Sequence, residues 1–261
     1  MADAQDEDGG TKTLQTVTRA MAILELISRD GPLNVTSIAR AIGISRSATL
    51  RILKTLIASG HIAKPPNART YFLTERILTL SSGYTRNNIL ATVTEPIIRE
   101  ASQRLLWPLV LTVPVGPEML VLVTTEPDSP LALQRMTAGY RMALSDTASA
   151  RIVLAQSRPE VCDEYLTFVR QSSDTAPQAG AFEDGVMRAR NDGFALHQVH
   201  GSREKSLAVA IRTDGIAVAG LTARFIASAL TDSKAQSDVL PVLQTIASRI
   251  SDALASAATT S

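Results

Sequence analysis

Residues 35–59, VTSIARAIGISRSATLRILKTLIAS, read as two helices broken by a turn at Gly43, and the second helix carries its charge on one side. With residues from Ser45 onward set at about 100° per residue, Thr49, Ile52, Leu53 and Leu56 fall in one sector. Ser47, Leu50, Arg51 and Lys54 fall in the opposite sector. The first sector requires a core. The second, with two cations and a hydroxyl, suits the phosphates and base edges of a DNA major groove. A short helix, a glycine turn and a Ser-capped second helix make a helix-turn-helix arrangement. The same pattern also describes an amphipathic helical hairpin with a solvated charged face.

Charge along the chain bears on that choice. The net charge of +1 over 261 residues is the sum of unlike parts. Residues 1–10 hold four acids and no base, and residues 11–90 hold eleven Lys or Arg against three acids, a net of +8. Residues 91–261 hold 15 bases and 18 acids. A basic segment beside a slightly acidic remainder is what binding by phosphate neutralisation requires. The 45% hydrophobic content fits a soluble globular chain of one or two domains. The single cysteine, Cys162, excludes an intramolecular disulfide and a multi-cysteine metal site, and suits a reducing cytoplasm as a half-buried helix thiol. MADAQDEDGGTKT has no apolar core of a signal peptide, no run of 18 apolar residues suggests a membrane span, and residues 1–12 read as a disordered tail.

Outward from the opening stretch, VTRAMAILELIS predicts an amphipathic helix over 16–28 with Val17, Met21, Leu24 and Ile27 on its stripe, ended by Asp30-Gly31-Pro32. The next two helices are expected at about 35–41 and 45–58, stopped by Gly60. HIAKPPNARTYFLT reads as strand, turn at Pro65-Pro66-Asn67, strand: the β-wing of a winged helix. Arg69 near the wing tip is either a contact to DNA backbone or minor groove, or a solvated turn arginine. Residues 74–90, with Ile77, Leu80 and Tyr84 at helical spacing and Gly83 as a weak point, suggest a linker helix. Residues 95–106 read as another helix with Pro96 in its first turn. WPLVLTVPV and EMLVLVTTE, separated by Gly116-Pro117, form a hairpin signal, and LALQRM suggests a further strand. SDTASARIVLAQ predicts a helix opening at Ser145 to Thr147, with Asp146 as a cap. Helices at VCDEYLTFVRQ and FEDGVMRARNDG, strands at FALHQV, SLAVAIR and AVAGLTARF with a turn at Asp214-Gly215, and a helix at 238–256 complete the chain. This mixture points to an α+β domain on an antiparallel sheet.

In this order, TVTRAMAILELI, VTSIARAIGISRSATLRILKTLIASGHI, YFLT, AGYRMALSDTASARIVLA, RARNDGFALHQV and SLAVAIRTDGIAVAGLT resemble the IclR-type (isocitrate-lyase-regulator) family of bacterial transcription factors, over Thr13 to about Ala255. WPLVLTV is similar to members that activate genes of aromatic-acid breakdown. The resemblance implies a disordered tail at 1–12, a winged helix-turn-helix over 13–74, a linker helix over 75–94, and a GAF- or profilin-like effector domain over 95–257. It implies a DNA-binding regulator controlled by a small metabolite, a homodimer or homotetramer on a palindromic operator, with no cofactor and no metal.

For DNA the candidates are Ser47, Arg51 and Lys54, flanked by Arg46 and Leu50, with Arg69 in the wing. Leu50 suits either a thymine methyl or packing against the wing. For the effector, the resemblance points to the backbone at Ala148 and Ser149 and the side chains of His197, Ser206, Thr222 and Arg224. Helix N-terminal amides favour an anion, so a carboxylate effector is expected. Thr222 and Arg224 share a strand face, where Arg224 either forks a carboxylate or ends the strand in water. His197 is either a packed core histidine or a ligand contact, and it stands where some relatives carry an acid. Ser149-Ala150 replaces a Gly-containing pattern, and Ala210 stands where many relatives have Pro. The alternatives are an enzyme or an architectural DNA binder without ligand. His61, His197, His200 and one cysteine supply no nucleophile–base pair or metal cluster, which argues against an enzyme.

Overall fold

The computed structural model describes residues 14–87, 89–132, 136–171, 176–199 and 201–259, in two compact units that divide at Asn87/Asn88. The tail at 1–12, the centre of LALQRM and His200 lie outside the described residues, as does the side chain of Tyr84.

The first unit comprises α1 (Gln15–Asp30), β1 (Leu33–Asn34), α2 (Val35–Ile42), α3 (Arg46–Ala58), β2 (Ile62–Ala63), β3 (Thr70–Leu73) and α4 (Ile77–Asn87). Asn34 opens α2 by accepting from the backbone N–H of Thr36 and Ser37, both at 3.0 Å. Gly43, at φ 69° and ψ 33°, closes it in the left-handed region that glycine reaches without strain. Ser45 then caps α3 through the N–H of Ala48 at 3.2 Å. Thr49, Ile52, Leu53 and Leu56 are all buried, with Ile23, Ile27, Ile38 and Ile62 around them. On α1 the expected stripe is buried only at Leu24 and Ile27, and the inward face is rotated to take in Ile23 and Leu26. Ile23, Leu24, Leu26 and Ile27 are buried, whereas Val17 and Met21 are about half exposed at 58% and 48%. The wing is a three-stranded sheet in the order β1-β3-β2, with Ile62 opposite Leu73 and Leu33 opposite Tyr71. α4 runs through Gly83 unbroken.

The second unit begins with α5 (Ile89–Leu105), so the helix expected over 95–106 starts earlier and Pro96 is interior to it rather than in its first turn. The expected boundary at 94/95 therefore falls within α5. β4 (Leu109–Val115), β5 (Glu118–Thr124), β6 (Arg141–Ala143), α6 (Ala148–Ala155), α7 (Pro159–Gln171), α8 (Ala179–Asp192), β7 (Ala195–Gln198), β8 (Glu204–Thr213) and β9 (Ile216–Ile226) follow. A single turn α9 (Asp232–Lys234), a π-helical turn (Ala235–Val239) and α10 (Leu240–Thr259) end the chain. The six strands form one antiparallel sheet in the order β6-β5-β4-β9-β8-β7. β4 pairs with β9 only over 109–112, so Pro114, which has no N–H to donate, lies where that ladder has ended.

Strand alternation divides the sheet into two faces. Leu109, Leu111, Leu207, Val209, Leu221, Ala223 and Phe225 pack with Ile98 of α5 and Leu243, Ile246 and Ile250 of α10. Burying such a side chain contributes about 1.5–3 kcal/mol. The opposite face carries small or polar residues: Ala208, Ala210, Gly220, Thr222 and Arg224, with α6 and α8 over it. Gly220 lets α6 come close. A Cβ there would lie 2.5 Å from Ser149 Cβ and 3.1 Å from its Cα.

Candidate functional site

On α3, Arg46, Ser47, Arg51 and Lys54 are exposed on the side away from the core. Among the described residues none of the three cations is in an ion pair. Ser47 Oγ lies 3.0 Å from Ser45 Oγ at the head of the helix. Arg69 is exposed next to the wing turn, which the Ala68 N–H closes on the Pro65 carbonyl at 3.0 Å. Leu50 is half-buried against the core cluster of this unit, so packing accounts for it without DNA. The structure thus leaves a cationic, hydroxyl-bearing helix face with no internal charge partner, the arrangement that phosphates and guanine edges can engage.

The second unit encloses a cavity of about 460 Å³ between the small-residue face of the sheet and the start of α6, within the range of small-molecule sites. Ala148, Ser149, His197, Ser206, Thr222 and Arg224, the residues expected from the sequence, all line it. The register explains their convergence. Arg224 pairs with Ser206 and Ser206 with His197 across β9, β8 and β7, while Thr222 pairs with Val110. Thr147, not Asp146, caps α6, accepting from the Ala150 N–H at 3.1 Å. Asp146 instead accepts from Ser145 Oγ and stands exposed at the cavity wall. Ser206 Oγ donates to the His197 carbonyl at 3.3 Å.

On residues lining this cavity, three buried polar atoms have no hydrogen-bond partner among the described residues: Thr112 Oγ1, Thr222 Oγ1 and His197 Nε2. Native proteins rarely leave such groups unsatisfied, and each costs about 1–3 kcal/mol when it is. Burial, reinforced by the nearby Arg151 cation, pushes the His197 imidazole down to about 4, so it is neutral at physiological pH. Arg151 itself is buried beneath the α6 entrance, donating to the Thr147 carbonyl at 2.6 Å and the Ser145 carbonyl at 2.9 Å. Burial lowers its pKa to about 10, with Asp146 opposing and Arg188 adding to the shift. It remains a cation.

Arg224 is neither the expected free fork nor an arginine in water. It is 8% exposed and gives Nη1 to Glu126 and Nη2 to Glu204, with Met136 Sδ 3.8 Å from Nη1. Both carboxylates come from outside the expected set, Glu126 from the turn after β5 and Glu204 from the start of β8. A ligand carboxylate at Arg224 would meet two acids already in place. Thr112 and Met136 were also missed. Thr112 is a lone hydroxyl in the apolar run LVLTV, and that contrast is a signal the sequence carries. Cys162 is buried more fully than expected, and burial raises its thiol pKa against the opposing effect of Arg190.

Residues 16–66 match the IclR helix-turn-helix domain. Along most of its length the chain is similar to the Pca regulon regulatory protein of Pseudomonas putida, at 24% identity over 241 residues, 90% of this chain and 82% of that protein. The stretch 16–66 is a helix-turn-helix domain of the IclR type. The fold of the chain is that of the IclR family transcriptional regulator from Brucella abortus, at 19% identity and TM-score 0.72, covering 97% of this chain and 96% of that one. It is also that of an IclR homolog from Microbacterium hydrocarbonoxydans complexed with 4-hydroxybenzoate, at 20% identity and TM-score 0.69, covering 92% and 98%. The IclR-type match falls on the unit that carries α3 and the wing. Among the described residues no group of three or more His, Cys, Asp or Glu is placed to hold a metal ion, and no helix is long and apolar enough to cross a membrane.

Proposed function

We propose that the chain is an IclR-type transcriptional regulator that reads a palindromic operator through Arg46, Ser47, Arg51 and Lys54 of α3, with Arg69 of the wing at the backbone or minor groove. Its operator affinity, or its activity there, is set by a small carboxylate, of aromatic type, held in the 460 Å³ cavity. The observation that carries the ligand reading is the trio of unpartnered buried atoms, Thr112 Oγ1, Thr222 Oγ1 and His197 Nε2, at one cavity. A ligand with hydrogen-bonding groups in this cavity would satisfy them.

Electrostatics orient the ligand. At the α6 end, the backbone at Ala148 and Ser149 opens a helix and Arg151 lies buried beneath, in no ion pair among the described residues and with Asp146 acting on it only through space, so the helix start and the cation together favour an anion. At the other end, one cation, Arg224, stands between two carboxylates, and Glu204 lines the cavity as an acceptor. The carboxylate therefore belongs at α6, and a hydroxyl or other donor belongs toward Glu204. The 4-hydroxybenzoate bound by the Microbacterium homolog has that polarity.

Exposed Leu14, just before α1, and Val17 and Met21 on it are apolar surface that a second copy would cover, consistent with a dimer or tetramer acting in the cytoplasm. Two recognition helices would then fall about 34–36 Å apart on the duplex. Ligand shifts operator affinity only through differential binding to two states of that assembly. Calorimetric titration of the full chain with a panel of aromatic and short-chain carboxylates tests the reading. Saturable binding weakened in Thr112→Val and Thr222→Val supports it; binding of no carboxylate, or binding indifferent to both variants, overturns it.

A further inference from the structure

Beyond His197, away from the effector cavity, lies a second cavity of about 330 Å³ walled by α8, β7 and the π-helical turn. Arg151, Arg188, Asp192, His197 and Gln236 are its polar lining. Arg151 is 6% exposed, its Cζ is 5.0 Å from the centre of the Phe182 ring, and among the described residues no carboxylate lies within 4 Å of it. Two backbone carbonyls take two of its five N–H groups, which leaves three. The chain makes room for this cation. A Cβ on Gly185 would lie 2.6 Å from Arg151 Nε, so the residue of α8 facing it is one without a side chain. Arg188 follows on the same helix, exposed and likewise without an ion pair among the described residues. Asp192, one turn further on, pairs with neither arginine.

A clamp that only ties down the Ser145 and Thr147 carbonyls has no need of a second cation or of open space beside it. Asp146 acts on Arg151 through space without a direct ion pair among the described residues, burial still lowers the Arg151 pKa, and a bound anion relieves that cost as a directly paired carboxylate would. We propose that this second cavity is a binding site for a small oxyanion, of the phosphate or carboxylate class, held between Arg151 and Arg188 with the Gln236 amide as a further donor. It is separate from the effector cavity, and the two share His197 as a wall. Occupancy of one site therefore changes the field and packing at the other, and by linkage the effect is reciprocal.

The site is tested on the full chain with inorganic phosphate, sulfate and acetate as probes, at constant ionic strength maintained with chloride. Thermal unfolding and calorimetric titration give the readouts. Expected is a saturable rise in Tm and saturable heat with at least one oxyanion, weakened tenfold or more in Arg188→Ala and strengthened in Asp192→Asn. Both residues are at the surface, so these variants keep the fold. Thr222→Val, in the effector cavity, leaves oxyanion affinity unchanged. A rise that never saturates, equals that of chloride, or is the same in Arg188→Ala overturns the site. Loss of oxyanion binding in Thr222→Val with retention in Arg188→Ala places the anion in the effector cavity and also overturns it. Failure of every aromatic carboxylate to bind would instead count against the effector reading and leave this test intact. Among probes, phosphate binding better than acetate identifies the phosphate class, and the reverse order the carboxylate class.

Discussion

Replacing Thr222 by Val removes one hydroxyl and keeps the branched shape. That hydroxyl is buried, on a residue 6% exposed, and has no hydrogen-bond partner among the described residues. A desolvated, unpaired hydroxyl costs about 1–3 kcal/mol, so the valine variant recovers about 1 kcal/mol of unfolding free energy. For a domain of this size that is a rise in Tm of about 2–4 °C. When ligand is bound the same hydroxyl donates or accepts one hydrogen bond, worth about 0.5–1.5 kcal/mol, so the variant binds ligand about 2- to 12-fold more weakly. Stability and affinity therefore move in opposite directions. Scanning calorimetry without ligand and titration calorimetry with the best-binding carboxylate measure the two. A variant that is less stable, with affinity unchanged, would refute the reasoning, because the hydroxyl would then serve the fold.

Arg51→Ala is expected to weaken operator binding by about 1–3 kcal/mol with the unfolding curve unchanged, as read by gel shift at fixed salt; equal affinity removes Arg51 from the interface. Arg224→Ala leaves Glu126 buried without its cation and is expected to destabilise the second unit by about 3–5 kcal/mol, so thermal unfolding, rather than ligand affinity, shows the larger change. Gly220→Ala forces the start of α6 away from the sheet, at about 1–3 kcal/mol of stability and with weaker carboxylate binding; a wild-type Tm and affinity would mean that α6 is not seated there. His197 is held neutral down to about pH 4, whereas the unfolded chain takes that proton near its ordinary 6.5. Its contribution to stability is thus present above about pH 6.5 and is lost as pH falls toward 4. His197→Gln should show a shallower loss of Tm over that window, and parallel curves for the two proteins would contradict the burial argument.

The helix-turn-helix was legible because its determinants are local: a cap at Asn34, a left-handed glycine at 43, a cap at Ser45 and one apolar sector on α3. The six expected effector-cavity residues came from the family resemblance; strand alternation and register bring His197, Ser206, Thr222 and Arg224 together, and the start of α6 sets Ala148 and Ser149 at the same cavity. What escaped was long-range or short. Arg224 draws its partners from Glu126, 98 residues earlier, and from Glu204, and no spacing rule on β9 carries that information. β6 is three residues long, too short to show alternation. On α1, Val17 and Met21 fit a helical stripe as well as Ile23 and Leu26 do, and the neighbouring elements decide which stripe is covered. Arg151 within ASARIVLA looks like a surface charge on an apolar helix, whereas the carbonyls of the preceding turn draw it inside.

If the cavity beside α6 is the effector site, its occupancy governs how the recognition helix α3 holds the operator. Fluorescence anisotropy of the full chain on an operator duplex selected from random sequence, titrated with and without saturating 4-hydroxybenzoate or the best-binding carboxylate, tests it directly. The account predicts a ligand-dependent change in operator affinity of about 5-fold or more, within the usual range of allosteric coupling, that is reduced in Thr112→Val/Thr222→Val at the same ligand concentration. Operator affinity that is identical with and without every bound carboxylate would contradict it.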